Sequence, residues 1–257
     1  MNSFTPKISI ITVVYNGKDL IEGTINSVLN QTYQNIEYTI IDGGSKDGTL
    51  EIIKKYESKI SKWKSEPDNG LYDAMNKGLK IATGEFVWFM NAGDWIFEKD
   101  TIEKMVRKCE KETDVLFGEV MLVNDNRKHL GTRSENTTQK LPKKLNWKSL
   151  KKGMVVCHQA FLPRRNLAPL YIENNLAADI HWVIECLKNA KLVTNTQLIL
   201  AQYLQGGLSK KRHQQSLWDR YDILKAQYGW LANLWNHILI FSRAGIHKIK
   251  RIGKPTY

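Results

Sequence analysis

The residues best equipped for chemistry in this chain are acids and amides that follow short apolar runs. Tyr15 and Asn16 follow residues 7–14 (KISIITVV), and Asp42 follows residues 36–41. Glu66 and Asp68 follow residues 63–65, and Asn91 and Asp94 follow residues 85–90 (EFVWFM). A carboxylate so placed can accept hydrogen bonds from a ligand or ligate a hard divalent cation. Neither GxGxxG after the first run nor GxxxxGKS/T anywhere is present, so the two common glycine-rich phosphate cradles are missing. A phosphate ligand then needs another source of positive charge, and a divalent cation held by Asp94 is the candidate.

These positions meet only if the runs are parallel strands ending on one edge. The first run is β-branched and apolar, the pattern of a strand buried on both faces. A helix is expected over residues 18–30, where Leu20, Ile21, Thr24, Ile25, Val28 and Leu29 form one stripe. Gly43-Gly44-Ser45 ends the second strand, and Asp47-Gly48-Thr49 starts a helix to Lys55. Pro67-Asp68-Asn69-Gly70 turns into a helix over residues 71–81, stopped before Gly84. Repeated β-α-β units make a mostly parallel sheet flanked by helices, with the ligand beyond the carboxyl ends of its strands. After Asp94 the sequence predicts a helix over 100–111, strands over 115–123 and 155–162, a helix over 177–189, and one or two strands over 192–203.

Composition limits the classes. The chain has 257 residues, 42% hydrophobic and 25% charged. That mix excludes wholesale disorder, collagen and a disulfide scaffold. Cys109, Cys157 and Cys186 form no CxxC pair, which predicts a reducing compartment and no zinc ribbon. No secretory leader is read at the N-terminus, and no run of 18 apolar residues predicts a membrane-crossing helix. The net charge of +12 is uneven, because residues 209–257 carry ten Lys or Arg against two acids.

The segments ISIITVVYN (8–16), IDGGSKDGT (41–49), SEPDNGLYDAMNKGL (65–79) and ATGEFVWFMNAGD (82–94) together resemble glycosyltransferase family 2. A second match, CHQAFLPRR (157–165) with LAADIHW (176–182), is similar to a subgroup that builds bacterial surface polysaccharides. The resemblance implies an α/β GT-A fold, Rossmann-like, and a cytoplasmic inverting transferase at the inner membrane face. It would move a sugar from a nucleotide-sugar donor to a glycan or lipid-linked glycan acceptor. It implies donor contacts at Val14, Tyr15, Asp42, Asp68, Asn91 and Gly93, with Tyr15 against the base and Asp42 bonded to base or ribose. Asp94, the one acid in Asn-Ala-Gly-Asp, would ligate Mn or Mg. Asp179 would be the catalytic base, with Glu185 the runner-up. His158 would touch phosphate or metal, or only shape the pocket. Arg164 and Arg165 would neutralise the leaving diphosphate, or stand as a solvated pair.

The organisation expected is a donor half (1–95), an acceptor half (96–208) and a basic helical tail (209–257). In the tail Leu217, Tyr221, Leu224, Tyr228, Leu231, Trp235 and Ile238 step by four and three, a helical stripe beside basic residues. That pattern suits an anionic membrane surface, or packing against the catalytic domain or a second copy in a homodimer. A sugar nucleotidylyltransferase needs a basic glycine-rich loop after the first strand, and Lys18 is the only basic residue there. Nucleic acid is not expected, since acidic strand ends repel phosphate and the positive excess is terminal. A catalytically inactive nucleotide-binding module is the remaining alternative, because Asn91 replaces an acid.

Overall fold

The computed structural model describes residues 4–206 and 213–251, with side chains described as far as residue 240. Four parallel strands, β1 (Ile8–Val14), β2 (Ile36–Asp42), β3 (Lys62–Ser65) and β4 (Phe86–Phe89), lie in the order β3-β2-β1-β4. Helices α1 (Lys18–Leu29), α2 (Thr49–Lys55) and α3 (Leu71–Ile81) connect them. Every β1 residue is buried. Ile10 packs in one core with Ile21 and Ile25 of α1, while Ile11 and Val13 pack in another with Met75 and Leu79 of α3. This is the two-faced burial that a β-branched run predicts. A Cβ on Gly78 would stand 2.4 Å from Ile11 Cγ2, so the missing side chain lets α3 lie close on the sheet.

The rest of the chain extends the layer. Strands β5 (Trp95–Ile96), β6 (Val115–Val123), β7 (His129–Thr132), β8 (Phe161–Pro163) and β9 (Val193–Leu204) form a mixed sheet, order β5-β9-β6-β7, with β8 on β6. Strands β6 and β9 run parallel, and a bridge from Phe86 to Arg164 joins the two sheets. Helices α4 (Thr101–Val106), α5 (Arg133–Asn136) and α6 (Ala178–Asn189) complete the body. The chain has the expected GT-A fold: an α/β structure with a parallel central sheet, flanking helices and a helical C-terminal region.

Three expected elements differ. The helix predicted over 100–111 ends at Val106, with a turn in which Cys109 N–H donates to Val106 O. The strand predicted over 155–162 is a short 3-10 turn, His158–Ala160, followed by β8. The single tail stripe is two helices, α7 (His213–Tyr228) and α8 (Trp230–Arg251). Gly229 between them has φ +85, a left-handed conformation that an L side chain avoids and that ends α7. Ile223 and Leu224 of α7 belong to the same core as Phe117 and Trp182. Tyr228 stacks on Trp147 at 5.5 Å.

Candidate functional site at the carboxyl edge of the sheet

Loops after β1, β2, β3 and β4 meet at one edge, stitched by side chains. Asn16 N–H donates to Ser45 Oγ (2.7 Å), Lys46 N–H to Asn16 Oδ1 (3.0 Å), and Lys18 N–H to Asp47 Oδ2 (3.0 Å). Asp47 is thus a structural tie and turn residue. Glu66 is held in ion pairs with Lys64 (2.7 Å) and Lys77 (3.4 Å).

Asp42 is fully buried, yet only half satisfied. Its Oδ2 accepts from Gly44 N–H (3.0 Å), Ser45 N–H (3.0 Å) and Ser65 Oγ–H (2.6 Å). Its Oδ1 is buried with no partner, an unusual state for a carboxylate oxygen and one that suits an incoming N–H or O–H. Tyr15 lies nearby, 66% exposed, with Val14 buried behind it. Gly43 lets these groups converge: a Cβ there would sit 2.2 Å from Asp68 Oδ2 and 3.3 Å from Tyr15 Cδ2. Asp68 Oδ1 accepts from Gly70 N–H (2.8 Å), which fixes the turn into α3.

The Asn91–Asp94 turn lies beyond β4. Asp94 is buried, and both its oxygens face internal donors: Leu204 N–H of β9 (3.0 Å) on Oδ1 and Gln159 Nε2–H (2.8 Å) on Oδ2. The Cys157 thiol donates to Gln159 Oε1 (2.7 Å), which orients that amide. Burial pushes the Asp94 carboxyl up to about 7, against the lowering effect of the two hydrogen bonds and the Arg127 guanidinium. Arg127 lies 3.7 Å over the Trp95 ring. Gly93, at φ +100, donates its N–H to Thr24 Oγ1 (2.9 Å). His158 Nε2 comes within 3.5 Å of Asn91 Nδ2, and burial lowers its imidazole to about 4, so the ring is neutral. Asn91 Oδ1 is buried without a partner.

Among the described residues, no three His, Cys, Asp or Glu side chains cluster as a metal cage. The donor set is one enclosed carboxylate, one unpaired amide oxygen and one neutral imidazole. That set fits a cation that takes most of its shell from substrate phosphates and water, as Mg²⁺ commonly does, rather than one held wholly by protein.

On the other side, Asp179 in the first turn of α6 is driven up by burial, with Arg220 and Arg133 opposing the shift. Its charge in turn raises the phenols of Tyr72 and Tyr203 beyond what burial does. Tyr203 lies in β9, next to Leu204, whose N–H caps Asp94. A cavity of about 200 Å³ opens beside Tyr72, between the start of α3, Asn174–Leu176 and Gln215 of α7. Asn76 holds these walls together: its Nδ2 donates to Tyr171 O (2.9 Å) and its Oδ1 accepts from Tyr171 N–H (2.7 Å).

Two expected assignments move. Arg164 and Arg165 lie at the opposite end of the sheet, so a role on the leaving diphosphate is corrected. Arg164 Nε donates to Thr113 O (2.7 Å) and its guanidinium stands 5.0 Å from the Phe86 ring centroid. Arg165 N–H donates to Glu85 O (2.8 Å). Phe86 begins β4 and Asn91 follows its end, which separates them by roughly 16 Å at strand rise. Glu185 is bonded to Lys188 (3.0 Å) and Gln227 (2.8 Å), away from the Asp94 turn. Sequence reading missed Ser65, Gln159 and Tyr203. Ser65 had a signal, because β3 in parallel register sets it opposite Asp42. Gln159 adjoins His158 within the second matching segment.

Comparison with known proteins agrees with this architecture. The sequence profile described as Glycosyl transferase family 2 matches residues 9–168. The chain is similar to a PGL/p-HBAD biosynthesis glycosyltransferase of Mycobacterium bovis, 30% identical over 215 residues and 79% of each chain. It is 34% identical over 154 residues to the putative glycosyltransferase EpsH of Bacillus subtilis, covering 59% of this chain and 44% of that one. In fold it is similar to S. aureus TarS 1–349 in complex with UDP-GlcNAc (TM-score 0.69, 22% identity), covering 84% of this chain and 64% of TarS 1–349. It is also similar to the mannosyltransferase PcManGT of Pyrobaculum calidifontis in complex with GDP-Man and Mn²⁺ (TM-score 0.63, 17% identity, 98% and 77% covered).

Proposed function

The chain belongs to glycosyl transferase family 2, and from that premise we propose that it is an inverting transferase of bacterial surface polysaccharide synthesis. It moves a sugar from a nucleotide-sugar to a saccharide or lipid-linked saccharide, in the cytoplasm at the inner membrane face. Residues 1–95 bind the donor and residues 96–208 the acceptor. The observation that carries the reading is the buried, unpaired Oδ1 of Asp42 beside the exposed ring of Tyr15. The pair offers a stacking face and an acceptor for a base or ribose donor group, and Val14 and Asp68 complete the wall.

The diphosphate lies toward the Asn91–Asp94 turn, which Gly93 shapes by its left-handed φ of +100. Mn or Mg bound there by Asp94, with Asn91 or His158 beside it, would supply the positive charge that offsets the diphosphate. Asp179 accepts the acceptor hydroxyl's proton as that oxygen bonds to the anomeric carbon and the carbon–phosphate-oxygen bond breaks. A base must be ionised to act, so its raised pKa makes it stronger once deprotonated.

Thermal unfolding with UDP-, GDP- and dTDP-sugars, each with Mn, Mg or EDTA, tests the reading. One donor at 100 times its Kd should add about 2.7 kcal/mol, and Asp42→Asn should remove most of that gain. If no nucleotide-sugar stabilises the chain with any metal, the proposal fails.

A further inference from the structure

Helix α8 is amphipathic in the wrong sense for a free surface helix. At 100° per residue, Leu231, Leu234, Trp235 and Ile238 share one stripe. That stripe faces outward: Leu231 is 73% exposed, Trp235 64% and Ile238 53%. The polar residues turn inward, with Asn233 0% and Asn236 7% exposed. Asn233 Nδ2 donates to Tyr221 O of α7 (3.2 Å), and the His237 ring packs edge-on against Tyr221 at 4.9 Å. Helix α7 is docked on the catalytic body through Ile223, Leu224 and Tyr228, and α8 packs on α7 and on the 147–152 turn, so its outward face rests on a firm base. Exposed Trp218 of α7 and Trp230 add large amphipathic rings. A large exposed apolar patch of this kind marks a contact surface.

Charge identifies the occupant. From Gly229 to Tyr257 the sequence has five Lys or Arg and no acid. Two such segments brought together in a symmetric pair repel, whereas an anionic surface attracts both the rings and the cations. Tryptophan beside leucine, followed by Lys248, Lys250 and Arg251, is the composition that settles at a lipid headgroup boundary. We infer that the outward face of α8 seats on an anionic lipid bilayer and anchors the catalytic body there. No helix among the described residues is long and apolar enough to cross a membrane, so this contact lies on the surface. Gln215, which lines the cavity beside Tyr72, is one turn before Trp218. The bilayer contact and the cavity therefore share α7, an arrangement suited to an acceptor presented from lipid. The bilayer contact itself does not depend on the transfer reaction.

The test is co-sedimentation of the full chain with vesicles of phosphatidylglycerol mixed with phosphatidylcholine, and of phosphatidylcholine alone, across a salt series. The wild-type chain should bind the anionic vesicles and weaken as salt rises. Leu231→Glu with Trp235→Glu should reduce binding at least about tenfold with an unchanged unfolding midpoint, since both side chains are exposed. Lys248→Gln, Lys250→Gln and Arg251→Gln together should cost about 100-fold on anionic vesicles and little on neutral ones. Wild-type chain left in the supernatant overturns the inference. So does equal binding by the glutamate variant, or a chain that ignores vesicles and elutes as a dimer dissociated by Trp235→Glu. No nucleotide-sugar is present, so this outcome is independent of the donor-binding test.

Discussion

Asp94→Asn separates the electrostatic cost of the Asn91–Asp94 turn from its use. In the folded chain the Asp94 carboxyl titrates near 7, against 3.8 for the ordinary group. Between those values the native state holds a proton that the unfolded chain has released. Stability from this group is therefore fully present below about pH 4 and is lost as pH rises toward 7. Roughly three pH units at about 1.36 kcal/mol each give a loss of about 4 kcal/mol across the window. Asparagine does not titrate, so the variant should lack this slope. It carries a pH-independent cost of about 1–3 kcal/mol, because its amide N–H₂ meets Gln159 Nε2, whose Oε1 already accepts from Cys157. His158 slopes the opposite way: its folded value near 4 against 6.5 makes stability fall as pH drops through that interval. The readout is therefore the difference between wild type and variant in urea unfolding at pH values from 4 to 8, in which the His158 contribution cancels. Wild type should be the more stable at pH 4, and the gap should close or reverse by pH 8. Parallel pH profiles for the two proteins would show that Asp94 is not titrating from a buried site.

Four further outcomes follow from the same geometry. If Asp94 must ionise to ligate metal, Mn affinity in the presence of donor, read by calorimetry, should fall about tenfold per pH unit below 7. Asp179→Asn should cut turnover by about 10²–10⁴-fold with donor affinity nearly unchanged, and wild-type turnover should decline as pH falls through the raised Asp179 pKa; a large loss in Glu185→Gln with a normal Asp179→Asn would reverse the assignment. Gly43→Ala should displace the Asp68 carboxylate and weaken donor binding, seen as a smaller thermal shift with the circular dichroism spectrum unchanged. Leu224→Ala should cost about 2–5 kcal/mol in urea unfolding, because α7 is part of the core.

Much of this protein was legible in its residues taken in order. The β-branched runs at β1 and β2, with the turns at Gly43-Gly44 and Asp68–Gly70, specify parallel strands whose ends carry acids. Strand period and turn chemistry are local, and both act within a few residues. Asp42 and Tyr15 could be singled out for the same reason, since a position just beyond a buried strand points to the edge where such sheets open. What the sequence could not reveal is which groups on distant segments share a bond. Asp94 reads as a free acid next to Gly93, yet β9 and the 157–159 turn close over it, and that enclosure sets its pKa. Arg164 and Arg165 read as cations near the site, but β8 pairs with β6 in a register that sends them to the far end of β4. The tail reads as one stripe. Gly229 divides it, and tertiary packing then buries Leu224 while turning Trp235 outward. Periodicity shows that a helix has two faces, but the choice of which face is buried depends on what the rest of the chain places against it.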